Sequence, residues 1–238
     1  MSELQKIEPE DAVGEVAELY KAVTVMLGRV PNFYRFLAHS PMVAKMLLPF
    51  NAVMQRQGGG SILTTKIKEL VVIKTSKING CAYCYAHNTS LGRAAGISEE
   101  QVLVIDGDDF MNSELLSPRE KAAVLWAEHV TRNTVRDHPE IRDQVREHFT
   151  DAEMVELTLI SGMFNMFNRF MDCMGVPMDT QQDIDSIQGS LHLDPDNVRA
   201  YFEHVAANWP DTVPGPNPDT RDIGLQCHHE GIHRQRTP

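Results

Sequence analysis

The chain has 238 residues, 22 Lys+Arg against 33 Asp+Glu for a formal charge of −11, and 42 % hydrophobic residues. That length buries a core without disulfide staples, and so acidic a balance excludes the clustered positive charge that nucleic acids and anionic membranes demand. No apolar run approaches the ~20 residues of a membrane-spanning helix, and the acidic start MSELQKIEPEDAVGEVAELY lacks the basic and apolar pattern of a secretory signal, so a cytoplasmic location is expected.

Helix signals run the length of the chain, and strand-length alternation of β-branched residues is scarce. The pattern predicts helices near 10–27, 41–56, 64–78, 82–95, 98–105, 118–133, 138–148, 151–174 and 195–208. Ser40-Pro41 supplies an N-cap followed by the proline favoured at the first helical position, and Pro49 should kink or shorten the helix it opens. Ile67, Leu70, Val71, Lys74 and Ile78 recur at helical spacing, which puts the apolar ones on one face. Three capping boxes follow, at Ser98/Gln101, Ser117/Glu120 and Thr150/Glu153, and Asp194-Pro195 gives a further start. Stops fall at Gly58–Gly60, Gly96 and Gly175, the last followed by Pro177. The fold class expected is all-α. Composition changes after about residue 180, and 210–238 holds five prolines with few apolar residues, as in an extended tail. Glu69-Leu70-Val71-Val72-Ile73 is echoed faintly by Glu156-Leu157-Thr158-Leu159-Ile160.

The four cysteines are Cys81, Cys84, Cys173 and Cys227, too few for a disulfide scaffold. Two of them stand in Asn79-Gly80-Cys81-Ala82-Tyr83-Cys84-Tyr85-Ala86-His87. Asn79-Gly80 ends one helix, and the next starts at or near Cys81, so both thiols lie in its first turn. A helix N-terminus carries roughly half a positive charge, which favours a thiolate over a thiol whose ordinary pKa is ~8.5. Cys81 and Cys84 are i, i+3 neighbours and can close a disulfide, and His87 stands at the same spacing from Cys84, placed to move its proton. Glu69 lies one helix earlier. In an antiparallel hairpin it reaches back toward His87, making Glu69, His87 and Cys84 a proton relay. Half a zinc site and a pair of inert core cysteines are the competing readings. Zinc needs four ligands, and no second Cys-x-x-Cys is present.

The segment resembles the carboxymuconolactone decarboxylase superfamily, in its alkylhydroperoxidase (AhpD-like) branch, where a Glu precedes Cys-x-x-Cys by eleven residues and a His follows. Pro31-Asn32-Phe33-Tyr34-Arg35-Phe36-Leu37-Ala38-His39-Ser40-Pro41 and Asn168-Arg169-Phe170-Met171-Asp172 with Gly175-Val176-Pro177 extend the likeness over about residues 15–180. The resemblance implies an AhpD-like helical domain over 1–180, a C-terminal extension over 181–238 with one short helix, and a homo-oligomer, trimer or hexamer. It also implies a peroxiredoxin-type activity without cofactor or metal, reducing hydroperoxides at the expense of an external dithiol. Carried over by residue, Cys84 is the peroxidatic nucleophile, Cys81 the proton donor and resolving thiol, and His87 with Glu69 the relay. The imidazole comes one residue earlier than in the commonest family pattern, and Tyr83 stands where some members place a second His. Two other outcomes are a lyase or hydrolase on a small organic acid using Glu69 and His87, and a non-catalytic redox sensor. Decarboxylation would want a cationic clamp, and no cluster of arginines is visible beside the motif.

Other features read as packing or tail. Met163, Phe164, Met166, Phe167, Phe170 and Met171 make the last long helix a core or subunit element, with a substrate-facing role as the alternative. Arg169 should pair with an acid, and Trp126 and Trp209 should pack. Cys227-His228-His229-Glu230-Gly231-Ile232-His233 has metal-binding residue types but sits in the proline-rich tail.

Overall fold

The computed structural model describes residues 4–210 and Gly215. Among them the chain forms eleven α-helices: α1 Gly14–Leu27, α2 Asn32–Leu37, α3 Pro41–Gln55, α4 Thr65–Asn79, α5 Ala82–Ala94, α6 Glu99–Asp106, α7 Pro118–Arg132, α8 Pro139–Arg146, α9 Asp151–Met174, α10 Gln181–Ser186 and α11 Pro195–Ala207. The expected all-α class is what the chain adopts. No helix among the described residues is long and apolar enough to cross a membrane.

Local chemistry sets most of the boundaries. Ser98, Ser117 and Thr150 each accept the backbone N–H of the third helical residue, and Gln101, Glu120 and Glu153 reach back to the cap N–H, closing all three capping boxes. Pro49 does not shorten α3, which runs through it to Gln55. The first expected helix begins later, at Gly14, because Pro9–Asp11 forms a separate 3-10 turn. The periodicity missed α2 and α10, whose six residues each are too few for a repeating apolar face to show.

The centre of the molecule is α4, which packs against α5, α7 and α9. It is not the one-faced helix its periodicity implies. Every residue from Ile67 to Ser76 is buried, including Lys68, Glu69, Lys74, Thr75 and Ser76. Surrounded on all sides, its polar residues must find partners indoors. Lys68 donates to the Arg56 carbonyl at 2.8 Å, Lys74 to the Gly107 carbonyl at 2.9 Å, and Thr75 meets Ser161 at 3.2 Å. The α9 helix lays Met163, Phe164, Phe167 and Met171 into the core and leaves Met166 exposed. Arg169 bonds the carbonyl and side chain of Asn165, not an acid. Trp126 is buried and donates to Thr158, whereas Trp209 is 53 % exposed and does not pack as expected.

After α9 the chain turns at Gly175, in the left-handed region at φ +61° that favours glycine, and runs back across the molecule. The following α10 and the 3-10 turn Ile187–Ser190 pack on α5, and α11 packs on α1. The segment expected to hold one short helix thus holds two helices and a 3-10 turn among its described residues. The Cys227–His233 cluster lies outside the described residues.

Candidate active site

Gly80 closes α4 in the left-handed conformation, at φ +73°, and its N–H returns to the Lys77 and Ser76 carbonyls. The next residue, Cys81, is the N-cap of α5, and its sulfur accepts the Cys84 backbone N–H at 3.4 Å. The expected helix-start placement of both thiols therefore holds. Cys81 and Cys84 are buried free thiols. Around them the α9 residue Asn168, fully buried, accepts from Asn79 at 2.9 Å and donates to Ser76 at 3.2 Å, and its amide lies against both sulfurs.

The two sulfurs differ sharply in acidity. The Cys84 side chain donates to Cys81 and, against the opposing effect of burial, brings the Cys81 thiol down to about 7, with the Cys84 N–H and Asn168 adding to the drop. Cys84 is pushed strongly upward, first by that same contact with Cys81 and then by burial. The resting charge consequently sits on Cys81, the sulfur at the N-cap, and the proton on Cys84. The acidification expected for thiols at the helix start thus falls on Cys81; the cap position, one turn earlier, receives the N–H.

His87 is buried one turn beyond Cys84, and both ring nitrogens are taken. Nδ1 meets the Tyr83 carbonyl at 2.8 Å and Nε2 meets the Asp179 carboxylate at 2.9 Å, while the ring stacks on Tyr83 with centroids 4.3 Å apart. Asp179 accepts twice more, from the Tyr83 hydroxyl at 2.5 Å and from the Asn32 backbone N–H at 2.9 Å. Burial acts to raise the Asp179 pKa, but the hydrogen bonds from His87, Tyr83 and Asn32 outweigh it and the net shift is downward.

Glu69 is not the partner of His87. The α4–α5 hairpin forms as expected, but its register sets Glu69 opposite Gly92, where an added Cβ would lie 3.6 Å from the Glu69 Cβ. Gly92 is five residues past His87, about 7 Å along the helix at ~1.5 Å per residue. No hydrogen bond joins the two side chains. Glu69 is fully buried with neither oxygen in a well-formed hydrogen bond, and burial pushes its pKa up to about 8 against the pull of the Arg56 charge, the nearby Gln55 amide and the Lys68 charge.

A cavity of about 60 Å³ opens beside the motif, lined by Cys84, His87, Tyr83 and Asn88 from α5 and by Phe164, Phe167 and Met171 from α9. The α9 apolar residues thus face the site as well as the core. Arg29 and Arg56 also line it. The absence of arginines beside the motif in sequence does not carry over to space, because both come from helix ends far from it in the chain. Sequence reasoning also missed Asp179 as a site residue. Its signal was faint: one acid after the Gly175–Pro177 break. Asn168 had a clearer one, a polar residue interrupting an apolar run. Among the described residues no group of three or more His, Cys, Asp or Glu side chains is arranged to hold a metal ion.

Comparison with known proteins places this arrangement. The family model "Carboxymuconolactone decarboxylase family" matches residues 43–129, which span α3 to α7 and include the whole hairpin. The uncharacterized protein YdfG of Bacillus subtilis is 32 % identical over 123 residues, 51 % of this chain and 82 % of that protein. The uncharacterized protein YnjA of Escherichia coli is 26 % identical over 153 residues, 63 % of this chain and 80 % of that protein. Among solved structures, an uncharacterized peroxidase-related protein of Ralstonia eutropha, described as an alkylhydroperoxidase AhpD core, superposes with a TM-score of 0.61 at 23 % identity, covering 77 % of this chain and 95 % of that one. The debrominase Bmp8 superposes at 0.62 with 18 % identity, covering 77 % and 97 %. The chain belongs to the carboxymuconolactone decarboxylase family and has the AhpD-like fold.

Proposed function

We propose that the protein is a cofactor-free thiol oxidoreductase that reduces hydroperoxides through a Cys81–Cys84 disulfide. The observation that carries this reading is the thiol pair itself: two sulfurs one helical turn apart, sharing one proton at a helix start, with Cys84 on the wall of a cavity. Cys81 thiolate takes the Cys84 proton as Cys84 attacks the terminal peroxide oxygen. The O–O bond breaks, Cys84 becomes a sulfenic acid, and the alkoxide leaves with the proton Cys81 has taken. Cys81 thiolate then attacks the Cys84 sulfur. The S–S bond forms, and the departing hydroxide becomes water with a proton from the His87–Asp179 pair, which is refilled from solvent. Two thiol electrons reduce the peroxide to an alcohol and water, and an external dithiol restores the pair. Cys84 keeps its expected role as nucleophile because it faces the cavity. Cys81 is base as well as resolving thiol, and the relay acid is Asp179, not Glu69.

A lyase or hydrolase built on Glu69 and His87 would need those two groups to act on one substrate. Their separation along the hairpin speaks against it. The test is intact-mass analysis before and after hydroperoxide, with turnover followed under a dithiol. The native chain should lose two hydrogens and cycle. Cys84→Ser should do neither, and full turnover in that variant would reject the assignment.

A further inference from the structure

Arg29 and Arg56 are hard to explain by folding alone. Arg56 is 1 % exposed, and the two guanidiniums are close enough for Arg29 to weaken the hold of Arg56 on its proton. A cation taken out of water, with a second cation near it, is costly unless an anion joins it. None does. Arg29 feels the charges of Asp179 and Asp183, and Arg56 that of Glu69, yet among the described residues neither guanidinium has a carboxylate within 4.0 Å. Glu69 is largely protonated at neutral pH, so it supplies little countercharge. Arg56 uses one terminal nitrogen on Gln55 at 3.1 Å and the other on Ser190 at 3.0 Å. Its Nε, like the Nε of Arg29, is buried with no hydrogen-bond partner. Both side chains line the cavity that Cys84 and His87 line.

We propose that Arg29 and Arg56 form an anion subsite beside Cys84, and that the substrate of the thiol pair is a hydroperoxide carrying a carboxylate. The proposal rests on the reading of Cys84 as the reacting thiol, and it deepens that reading by naming the substrate class. Two unpartnered N–H donors on paired cations suit a carboxylate, whose two oxygens each accept a charge-assisted hydrogen bond. A carboxylate held there anchors an organic acid with its peroxide toward Cys84, while Phe164, Phe167 and Met171 receive its hydrocarbon. A neutral peroxide would leave both cations without a counter-charge.

Two measurements on the full chain separate this subsite from the thiol chemistry. In thermal denaturation, propionate should raise the Tm and propionamide, of nearly the same shape, should not; Arg29→Gln and Arg56→Met should lose the propionate response. In stopped-flow thiol oxidation, a short-chain hydroperoxy acid should outpace its methyl ester by roughly tenfold, equivalent to about 1.4 kcal/mol. In Arg29→Gln the acid-to-ester ratio should fall toward one. Arg29 is only half-buried, so its variant carries the test even if loss of Arg56 prevents folding. Equal response to propionate and propionamide, as from a cavity that holds only water, overturns the subsite. So does an acid-to-ester ratio that Arg29→Gln leaves intact while both rates drop, since the arginines would then serve a leaving alkoxide of any peroxide. If neither hydroperoxide oxidises the thiols but propionate alone stabilises the native chain, the peroxidase reading fails and the anion subsite stands.

Discussion

Between Cys81 and Cys84 a single proton decides which sulfur is charged, and the contact between the two side chains weighs most in the choice. The Cys84 S–H donates to Cys81 and the Cys84 N–H adds to it at the cap, so Cys81 ionises near 7 while Cys84 holds its proton. The ultraviolet absorbance of the Cys81 thiolate should rise with pH through about 7 and level off above it. In Cys84→Ala the midpoint should move up toward the ordinary thiol range of about 8.5, because the S–H donor is gone. Glu69 offers the opposite case. Its folded pKa of about 8 lies above its ordinary 4.5, so its contribution to stability is intact below 4.5 and is lost as pH rises through 8. Glu69→Gln removes that loss. Its stability relative to the native chain should climb between those limits, toward a gain on the order of 5 kcal/mol, and a flat difference across that range would refute the buried, protonated acid. These residues show what the sequence discloses. Cys81, Cys84 and His87 are legible because one helix turn fixes their spacing. Asp179 is not, since it meets His87 from 92 residues away and no local pattern encodes that meeting.

At the scale of the helix, the hairpin of α4 and α5 sets the chemistry by register. Gly92 lets the two helices approach closely, with Ile73 and Ile97 atoms about where a Cβ would press, at 3.1 and 3.0 Å. That contact slides Glu69 past His87. An amphipathic pattern foretells that two helices will pack, but their relative slide depends on which small residue admits its neighbour. Hence the hairpin was readable and the relay was not. Gly80 is the hinge of the same element. Space around it is open, so Gly80→Ala meets only the penalty of its left-handed backbone, about 1 kcal/mol. Urea denaturation should show that loss. Because Cys81 is the next residue, the midpoint of its ionisation should rise as well.

Across the molecule, Asp179 ties three distant parts of the chain. Its carboxylate takes the Asn32 N–H at the head of α2 and the Tyr83 hydroxyl and His87 Nε2 of α5, from a segment that has just left α9. Tyr83 tightens the knot by accepting the Phe33 N–H at 3.3 Å. Asp179→Ala would leave three buried donors without an acceptor, and chemical denaturation should report a loss of about 3 kcal/mol. Peroxide turnover should fall further than stability explains, because His87 loses the group that orients it. The arginines belong to this scale too: Gly28-Arg29 and Gln55-Arg56 end two helices, and nothing but the assembled fold turns them onto one cavity.

The long reach from Asp179 to His87 also bears on timing. A ribosome delivers both sulfurs some ninety residues before the carboxylate that steadies the imidazole, and Asn168 likewise comes late. Until synthesis has passed Asp179, the motif lacks the side chain that holds His87 Nε2 and the Tyr83 hydroxyl.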